Sequence, residues 1–394
     1  MQNTLDNTKT AEKDKQVQTP FSRTNPFPAK VLKNININGT GSSKETRHIE
    51  LSLEGSDLSY VPGDTLGIIP SNDPELVASL FEEMHWDEEA IVIINKQGDT
   101  LSLEKALINY FEITLLSKKI LQQAAAFTES EALQKLLLVE NAAQLKEYCN
   151  GRDLLDMLHE FGPWKATAQE IVSCLRKMTP RLYSIASSIA ANPEEVHLTI
   201  GAVRYTSHGR ERKGVCSVLC AERVNEGDTL SVFVQANKHF YLPESHDTDI
   251  IMVGPGTGIA PFRSFIQERT VNKGKGRSWL FFGDQHAASD FLYQDELEKY
   301  QQDGVLTKLD AAFSRDTAQK VYVQHKMLEH SKELYEWLQK GAYFYVCGDK
   351  EYMAKDVHET LISIIEKEGA MSRDAAEADL KDMQKQGRYQ RDVY

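Results

Sequence analysis

The segment Gly254-Pro255-Gly256-Thr257-Gly258-Ile259-Ala260-Pro261-Phe262 directly follows a short apolar run, residues 250–253. An apolar strand that ends in glycines and leads into a helix, which we expect from Pro261, is typical of a turn that binds a dinucleotide. The glycines let backbone N–H groups approach a pyrophosphate at the positive end of the helix dipole. Because the spacing is G-x-G-x-G and not the usual G-x-G-x-x-G, a purely structural turn remains an alternative.

The chain after this segment alternates between apolar strands and helices. Further strands are predicted at residues 279–282, 305–313 and 343–346. Helices are predicted over residues 291–301, 320–340, 350–368 and 373–386. Repeated strand–helix units predict a parallel sheet with helices on both faces. We therefore assign residues 246–394 to a C-terminal α/β domain.

Two strand-rich regions and a helical block precede the α/β domain. Residues 25–72 and 179–245 alternate apolar and polar side chains with the period of β-strands. Helical patterns occur in the block between them, residues 73–178, at 74–85, 102–108, 115–126, 129–138, 142–149 and 151–159. The sequence thus predicts an α+β multidomain fold in which a helical connecting insertion splits one antiparallel β-barrel. Residues 1–24 are polar, and we expect them to form a disordered tail.

The composition limits the classes of function that fit this chain. With 394 residues, two or three domains are expected, and a formal net charge of −13 argues against binding to nucleic acid. No apolar run of about 18 residues occurs and the N-terminus lacks an apolar signal segment, so we expect no membrane span and no secretion. The five irregularly spaced cysteines, including Cys216 and Cys220, predict reduced thiols in the cytoplasm without a metal site or a disulfide.

The choice of nucleotide is indicated by charged residues after the glycine segment. A site for NAD needs an acidic residue about 20 positions later, but residues 273–277 are Lys-Gly-Lys-Gly-Arg. Further on, Ser314, Arg315, Lys320 and Tyr322 offer the hydroxyl, guanidinium and ammonium groups that suit a 2′-phosphate. This pattern favours NADP over NAD, and a solvated basic patch is the alternative.

The tetrapeptide Arg181-Leu182-Tyr183-Ser184 opens the second strand-rich region. In a strand, Arg181 and Tyr183 lie on one face, and Leu182 and Ser184 lie on the other. An arginine can neutralise a diphosphate, a tyrosine can stack on a planar ring, and a serine can hydrogen-bond a ring nitrogen. Four residues alone are equally consistent with an ordinary barrel strand.

Eight motifs together extend these observations over about residues 25–394. The motifs are Arg181–Ser184, Thr199–Tyr205, Gly214–Ser217, Gly254–Phe262, Phe282–Asp284, Ser314–Asp316, Tyr345–Asp349 and Arg388–Tyr394. Because they occur in the order found in the diflavin reductases, the chain resembles this branch of the ferredoxin–NADP reductase family. The C-terminal R-Y-Q-R-D-V-Y and the V-Y-V-Q at 321–324 are most similar to the sulfite reductase flavoproteins within that branch.

The resemblance implies FAD and NADPH as cofactors and assigns residues to each. For FAD these are Thr114, Arg181, Leu182, Tyr183, Ser184, Thr199, Ile200, Gly201, Tyr205, Gly214, Val215, Cys216 and Ser217. For NADP these are Gly256, Thr257, Gly258, Ser314, Arg315, Lys320, Val321, Tyr322, Val323, Gln324 and Asp356. The residues that it places at hydride transfer are Ser184, Cys347, Asp392 and Tyr394. Read from the residues alone, Cys347 would be a small buried side chain and Tyr394 a frayed terminus.

The resemblance also implies an activity and its partners. Electrons would pass from NADPH by hydride transfer to FAD, and then to a sulfite reductase haemoprotein that reduces sulfite to sulfide. The family's flavodoxin-like FMN domain needs about 150 residues, which are not found before Asn25, so we expect a separate FMN carrier or direct transfer. A stand-alone NADPH–flavodoxin or ferredoxin reductase, or a non-catalytic FAD/NADP-binding regulatory module, remain alternatives.

Overall fold

The structure is a computed structural model that describes residues 21–394. The disordered tail predicted for residues 1–24 lies, up to residue 20, outside the described residues. The described chain contains a β-barrel interrupted by a helical insertion, followed by an α/β domain with a parallel sheet. This architecture confirms the predicted fold class.

The barrel domain is built from two segments of the chain that flank the insertion. The first segment contains β1 (Phe27–Asn36), β2 (Thr46–Ser52) and β3 (Thr65–Ile69). The insertion contains α1 (Pro74–Met84), β4 (Ile91–Ile93), β5 (Thr100–Ser102), α2 (Leu103–Asn109), α3 (Lys118–Ala124), α4 (Glu131–Leu136), α5 (Ala142–Cys149), α6 (Leu154–Phe161) and α7 (Ala168–Cys174). The second segment contains β6 (Arg181–Ser184), β7 (Glu195–Gly201), β8 (Arg204–Ser207), β9 (Arg210–Lys213), α8 (Val215–Val218) and β10 (Thr229–Gln235).

The barrel sheet has the strand order β6-β3-β10-β1-β2-β7, and each neighbouring pair is antiparallel. An isolated antiparallel bridge between Ile185 and Leu198 joins the two edges of the sheet. Side chains that alternate along the strands, such as Ile49 and Leu51, are fully buried in the barrel core. The period-two pattern in the sequence therefore reports which residues face the interior.

The helical insertion has a hydrophobic core of its own, centred on α1, α2, α3 and α6. Its first helix begins where the sequence predicted it, because the side chain of Asp73 accepts a hydrogen bond from the backbone of Glu75 at 3.1 Å and Pro74 occupies the first turn. The short β4–β5 hairpin and α7 were not predicted. The hairpin strands, of three residues each, are too short to produce a periodic signal. The start of α7 carries a capping pair, Thr167 with Glu170, that the prediction did not use.

The C-terminal domain alternates strands and helices. It contains β11 (Ile250–Val253), α9 (Ala260–Asn272), β12 (Ser278–Asp284), α10 (Ala287–Asp290), α11 (Gln294–Gln302), β13 (Lys308–Phe313), α12 (Val323–Glu329), α13 (Ser331–Gln339), β14 (Tyr343–Gly348), α14 (Met353–Glu368), α15 (Arg373–Lys385) and β15 (Tyr389–Val393). All five strands are parallel, in the order β13-β12-β11-β14-β15. Two buried clusters cover the two faces of this sheet.

The strand order reverses next to β11, because the chain adds β12 on one side and later returns to add β14 on the other. In open α/β sheets, ligands bind in the crevice outside the carboxyl ends of the strands at such a point. The crevice here is formed by the glycine segment after β11 and by Gly348 and Asp349 at the end of β14. The fold thus places the glycine segment at the expected ligand-binding position.

Two features of the C-terminal domain differ from the prediction. The helix predicted over 320–340 is two helices, α12 and α13, because the backbone leaves the helical conformation at His330. The strand β15 was not predicted, since Tyr389–Val393 contains few apolar residues and forms an edge of the sheet. Within residues 21–394, no helix combines the length and apolar character needed to cross a membrane.

Candidate functional site

A cleft with a volume of about 1520 Å³ lies between the barrel and the C-terminal domain. The residues of the predicted site that line it are Arg181, Leu182, Tyr183, Ser184, Thr199, Gly201, Gly214, Val215, Cys216, Ser217, Gly256, Thr257, Asp392 and Tyr394. Pockets for a single small ligand have volumes of roughly 300–1,000 Å³. This cleft is therefore large enough for a dinucleotide.

The barrel side of the cleft is dominated by β6. The Arg181 guanidinium donates to the carbonyl and hydroxyl oxygens of Thr179 at 2.6 and 2.8 Å, and to Glu112 at 3.0 Å. These three contacts leave at least two of its five N–H groups without a partner among the described residues. Arg181 can therefore bind an anion in the cleft without losing its present contacts.

The turn before α8 lines the same cleft and is tied to Val203 by two hydrogen bonds. Gly214 donates its N–H to Val203 at 2.8 Å, and the Ser217 hydroxyl accepts from the Val203 N–H at 3.2 Å. The first turn of a helix leaves backbone N–H groups without acceptors inside the helix. Together with Arg181, this donor set fits the diphosphate of FAD, and the half-buried Tyr183 fits an aromatic ring.

The glycine segment forms the opposite wall. Gly256 adopts a positive φ of 57°, which a residue with a side chain rarely adopts. A Cβ atom on Gly258 would overlap the carbonyl of Cys347 at the end of β14. These two glycines therefore let the segment turn sharply and pack closely against the end of β14.

Ser184 and Asp392 meet where the two walls approach each other. The Ser184 hydroxyl donates to the Asp392 carboxylate at 2.7 Å, and the Cys347 thiol lies 4.0 Å from the same oxygen. Burial raises the pKa of Asp392, while the hydrogen bond from Ser184 opposes this shift. Burial and then the Asp392 charge raise the pKa of the Cys347 thiol well above its ordinary value. Three of the four residues predicted at hydride transfer thus meet in one cluster, in which Cys347 is fully buried and Ser184 and Asp392 are half-buried.

The C-terminal aromatic residue lies in the cleft. The Tyr394 hydroxyl is 3.0 Å from the Thr257 hydroxyl, and its backbone N–H donates to Gly348 at 3.2 Å. The side chain is nevertheless 64% exposed. β15 therefore holds the Tyr394 ring at a position that another aromatic ring bound in the cleft would also need to occupy.

A second cavity of about 490 Å³ adjoins the cleft on the side of the C-terminal domain. It is lined by the predicted residues Gly256, Ser314, Tyr322, Val323, Gln324 and Asp356. Gln324 donates to Asp356 at 3.1 Å, and Ser314 donates to the Asp284 carbonyl at 3.3 Å. The hydroxyl and amide groups expected to bind an adenosine phosphate are thus gathered in one place.

Several predicted residues line neither cavity. These are Thr114, Ile200, Tyr205, Gly258, Arg315, Lys320, Val321 and Cys347. Arg315 and Lys320 are exposed beside the second cavity, and neither side chain has a hydrogen bond or ion pair within residues 21–394. Thr114 donates to Glu112 at 2.6 Å, which places it behind Arg181. Ile200 faces the barrel core.

The sequence did not assign a role to three charged residues at the site. Lys44 and Asp284 form an ion pair between the two domains, and both residues line both cavities. Burial raises the pKa of Asp284, and Lys44 opposes the shift. Glu112 is fully buried behind Arg181. The contacts of Lys44 with Asp284 and of Glu112 with Arg181 join distant parts of the chain, so no local sequence pattern indicates them.

One group of side chains outside the cleft has the composition of a metal site. Ligand atoms of His48, Glu50 and His197 lie within 4.8 Å of one another. However, Arg263 donates to His197 at 3.2 Å and Lys33 pairs with Glu50 at 3.2 Å. Two cations already engage the group, and the expectation of no metal stays a prediction.

An interrupted β-barrel that faces a parallel α/β domain across a dinucleotide-sized cleft defines a flavoprotein oxidoreductase of the ferredoxin–NADP reductase class. A family model described as "FAD binding domain" matches residues 19–219, and one described as "Oxidoreductase NAD-binding domain" matches residues 252–359. The first covers just over half of the chain, and the chain therefore belongs to the family with this FAD binding domain. The two matches confirm the predicted cofactors, FAD and NADPH.

Individual proteins similar to this chain share one description, "Sulfite reductase [NADPH] flavoprotein alpha-component". The protein from Bacillus subtilis (strain 168) is 63% identical over 96% of this chain and 62% of its own length. Those from Vibrio parahaemolyticus and Klebsiella pneumoniae are 47% and 45% identical over 95% of this chain, and over 59% and 62% of their own lengths. These relatives confirm the resemblance drawn from the motifs. The chain spans about three fifths of their length.

Proposed function

We propose that this chain takes electrons from NADPH through FAD and delivers them to a sulfite reductase haemoprotein, which reduces sulfite to sulfide. The description of its relatives supports this acceptor. Delivery is either direct or through a separate flavodoxin-like FMN carrier. The cytoplasm is the expected location, and all five cysteines, which lie in the described part of the chain, are free.

The cluster of Ser184, Asp392 and Cys347 is the observation that carries the hydride-transfer step of this proposal. NADPH and FAD supply the hydride chemistry when both are bound. The Ser184 hydroxyl holds a proton in the cleft, and its 2.7 Å contact to Asp392 fixes the direction of that hydroxyl. Burial raises the pKa of the half-buried Asp392 carboxyl group, so it can take up a proton at a higher pH than an exposed aspartate.

The walls of the two cavities suggest which residues bind each cofactor. Arg181 and the backbone of the turn at 214–217 bind the FAD diphosphate, and Tyr183 stacks on the flavin. Ser314, Tyr322 and Gln324 hold the adenosine phosphate of NADPH. The exposed Arg315 and Lys320 close over the 2′-phosphate, which is consistent with their lack of other partners among residues 21–394.

The flavin content provides the first test. We expect stoichiometric FAD and no FMN when the flavin is released by heat from the purified protein and identified by chromatography. The barrel, the turn at 214–217 and the glycine segment converge on a cleft of dinucleotide size. Stoichiometric FMN would contradict the proposal.

The acceptor is tested by NADPH oxidation. We expect added sulfite reductase haemoprotein, alone or with a flavodoxin, to produce sulfide at the expense of NADPH. A stand-alone flavodoxin or ferredoxin reductase would instead reduce its carrier without supporting sulfide formation. If NADPH does not bleach the bound flavin, the alternative of a non-catalytic FAD/NADP-binding module would be supported instead.

A further inference from the structure

Glu112 is a carboxylate with no exposed surface in the segment of the insertion that packs against the barrel. One of its oxygens accepts from the backbone N–H and the hydroxyl of Thr114, at 3.1 and 2.6 Å. The other oxygen accepts from the Arg181 guanidinium at 3.0 Å. A buried carboxylate is stable only when it is paired and hydrogen-bonded, and this one meets both requirements.

Arg181 is held from two directions by these contacts and by Thr179. Glu112 binds one terminal nitrogen, and the carbonyl and hydroxyl of Thr179 accept from the other. The side chain nevertheless keeps 29% of its surface exposed and lines the cleft. The guanidinium is therefore fixed in position while part of its donor edge remains available.

Fixing a long side chain before a ligand arrives lowers the entropy cost of binding. An arginine binds a phosphate best through two parallel N–H groups, and this geometry depends on the plane of the guanidinium. Without the Glu112 carboxylate, Arg181 would lose one of the two residues, Glu112 and Thr179, whose hydrogen bonds define the plane of its guanidinium. Glu112 thus acts on the ligand through Arg181.

We propose that Glu112 is a positioning residue that orients Arg181 toward the diphosphate of FAD, an inference that rests on the proposed function. Glu112 belongs to the insertion and Arg181 to β6 of the barrel. The retention of FAD should consequently depend on this one contact between the helical insertion and the barrel. The insertion therefore takes part in flavin binding, in addition to filling the space between two barrel segments.

The test is a double-mutant cycle on the FAD dissociation constant, measured by flavin fluorescence with the full chain. Glu112→Gln should raise this constant about tenfold, because the amide presents a donor where Arg181 or Thr114 needs an acceptor. Arg181→Ala should raise it at least as much. If Glu112 acts through Arg181, Glu112→Gln should add less than about twofold in the Arg181→Ala background. A full tenfold effect there, or none in either background, would overturn the inference.

Two further variants distinguish the positioning of Arg181 by Glu112 from a general loss of protein stability. Asp153→Asn makes the same carboxylate-to-amide change at a buried, arginine-paired residue of the insertion that lines neither cavity. It should lower the thermal stability and leave the FAD constant within about twofold. An equal loss of FAD in Asp153→Asn would overturn the inference.

Glu112→Asp keeps the charge with a shorter side chain, so it provides the same cycle if Glu112→Gln does not fold. It should weaken FAD binding less than Glu112→Gln, and its effect should also vanish in the Arg181→Ala background. An unsubstituted protein that binds no FAD would contradict the proposed function itself. A protein that binds FAD and retains it equally in both Glu112 variants would contradict only the role of Glu112.

Discussion

Ser184 and Asp392 are 208 positions apart in the chain, yet their side chains share a hydrogen bond of 2.7 Å. Ser184 comes from the barrel, and Asp392 comes from the edge strand of the C-terminal sheet. The contact therefore exists only when both domains are folded and docked. Because burial raises the pKa of Asp392, its ionisation should be visible in the pH dependence of the reaction.

The rate of flavin reduction by NADPH should fall as the pH is lowered toward the pKa of Asp392. Protonation removes the charged acceptor that orients the Ser184 hydroxyl, and the raised pKa places this loss at a higher pH than for an ordinary aspartate. Asp392→Asn should lower the rate at neutral pH by about 100-fold and abolish this inflection. Stopped-flow absorbance across pH is the measurement.

Asp374→Asn, an exposed aspartate on α15, is the control and should leave the profile unchanged. The raised pKa also means that ionised Asp392 reduces the free energy of unfolding at neutral pH. Asp392→Asn should therefore not lower Tm appreciably. An inflection that survives in Asp392→Asn would assign the titration to another group.

Arg315 tests the choice of nucleotide at the residue scale. A charge-assisted contact to the 2′-phosphate contributes roughly 1.5–3 kcal/mol, so Arg315→Ala should raise the KM for NADPH by about 10- to 100-fold. The KM for NADH, which lacks that phosphate, should stay nearly unchanged. Arg373→Ala removes an exposed arginine that lines neither cavity and is the control. Equal losses for both nucleotides would refute the assignment.

The sequence predicted the residues of the site better than their contacts. The glycine segment and Arg181–Ser184 were recognisable because each has a local pattern whose chemistry is readable. Glu112 was not, since its partner Arg181 lies 69 positions away and a lone glutamate carries no signal. The order of motifs led to Asp392 and Cys347, whereas their residue types alone would have suggested an exposed acid and a buried thiol.

Secondary-structure elements were likewise predicted where their signal is local in the sequence, and missed where they depend on pairing with a distant segment. Helices with a capping residue and a regular apolar period, such as α1, were predicted to within one residue. The edge strand β15 was missed, because its pairing with β14 and not its composition makes it a strand. Period-two alternation identified β2 and β7, but could not show that their outward faces pack on α9 and on Tyr293, the residue before α11.

That packing buries His48 of β2 and His197 of β7 beside Arg263 of α9 and Tyr293 next to α11. Burial, and then the Arg263 charge, lower the pKa of His48 from 6.5 to about 4, and burial also lowers the pKa of His197. Glu50 contacts His48 at 3.0 Å and only partly offsets these effects. The interface between the domains is therefore built around neutral histidines.

The free energy of unfolding should consequently decrease as the pH falls from 6.5 to about 4. In this window the unfolded chain binds a proton at His48 that the folded chain does not, which amounts to about 3 kcal/mol in total. Urea unfolding at a series of pH values measures this loss. His48→Gln should flatten the pH dependence, whereas His246→Gln, at an exposed histidine, should not. An unchanged slope in His48→Gln would contradict the burial of a neutral ring.

At the scale of the whole molecule, the cleft is a property of neither domain alone. Its lining runs from Ser42 near the start of the barrel to Tyr394 at the end of the chain. The sequence predicted both halves and their cofactors, but no local pattern specifies how closely two domains approach. The ion pair between Lys44 and Asp284, the hydrogen bond between Ser184 and Asp392 and the packing of the two histidines against Arg263 together hold the domains at this distance.

We expect the Tyr394 ring to control the access of nicotinamide to the flavin. The ring lies in the cleft between the domains, and the nicotinamide of NADPH must reach the same space. Ring and nicotinamide therefore compete, and the difference between their affinities decides which one is bound. In the proposed site, NADPH has 2′-phosphate contacts to offset this competition, and NADH lacks them.

Deletion of Tyr394 should therefore tighten nicotinamide binding, slow the release of NADP⁺ and reduce the preference for NADPH over NADH by about tenfold, the equivalent of one aromatic stacking contact. Tyr394→Phe keeps the ring and loses only the 3.0 Å contact to Thr257, so it should retain the preference of the unsubstituted protein. Stopped-flow reduction of the flavin with both nucleotides, followed by its charge-transfer absorbance, measures all three effects. If the deletion leaves selectivity and charge-transfer absorbance unchanged, Tyr394 does not cover the flavin.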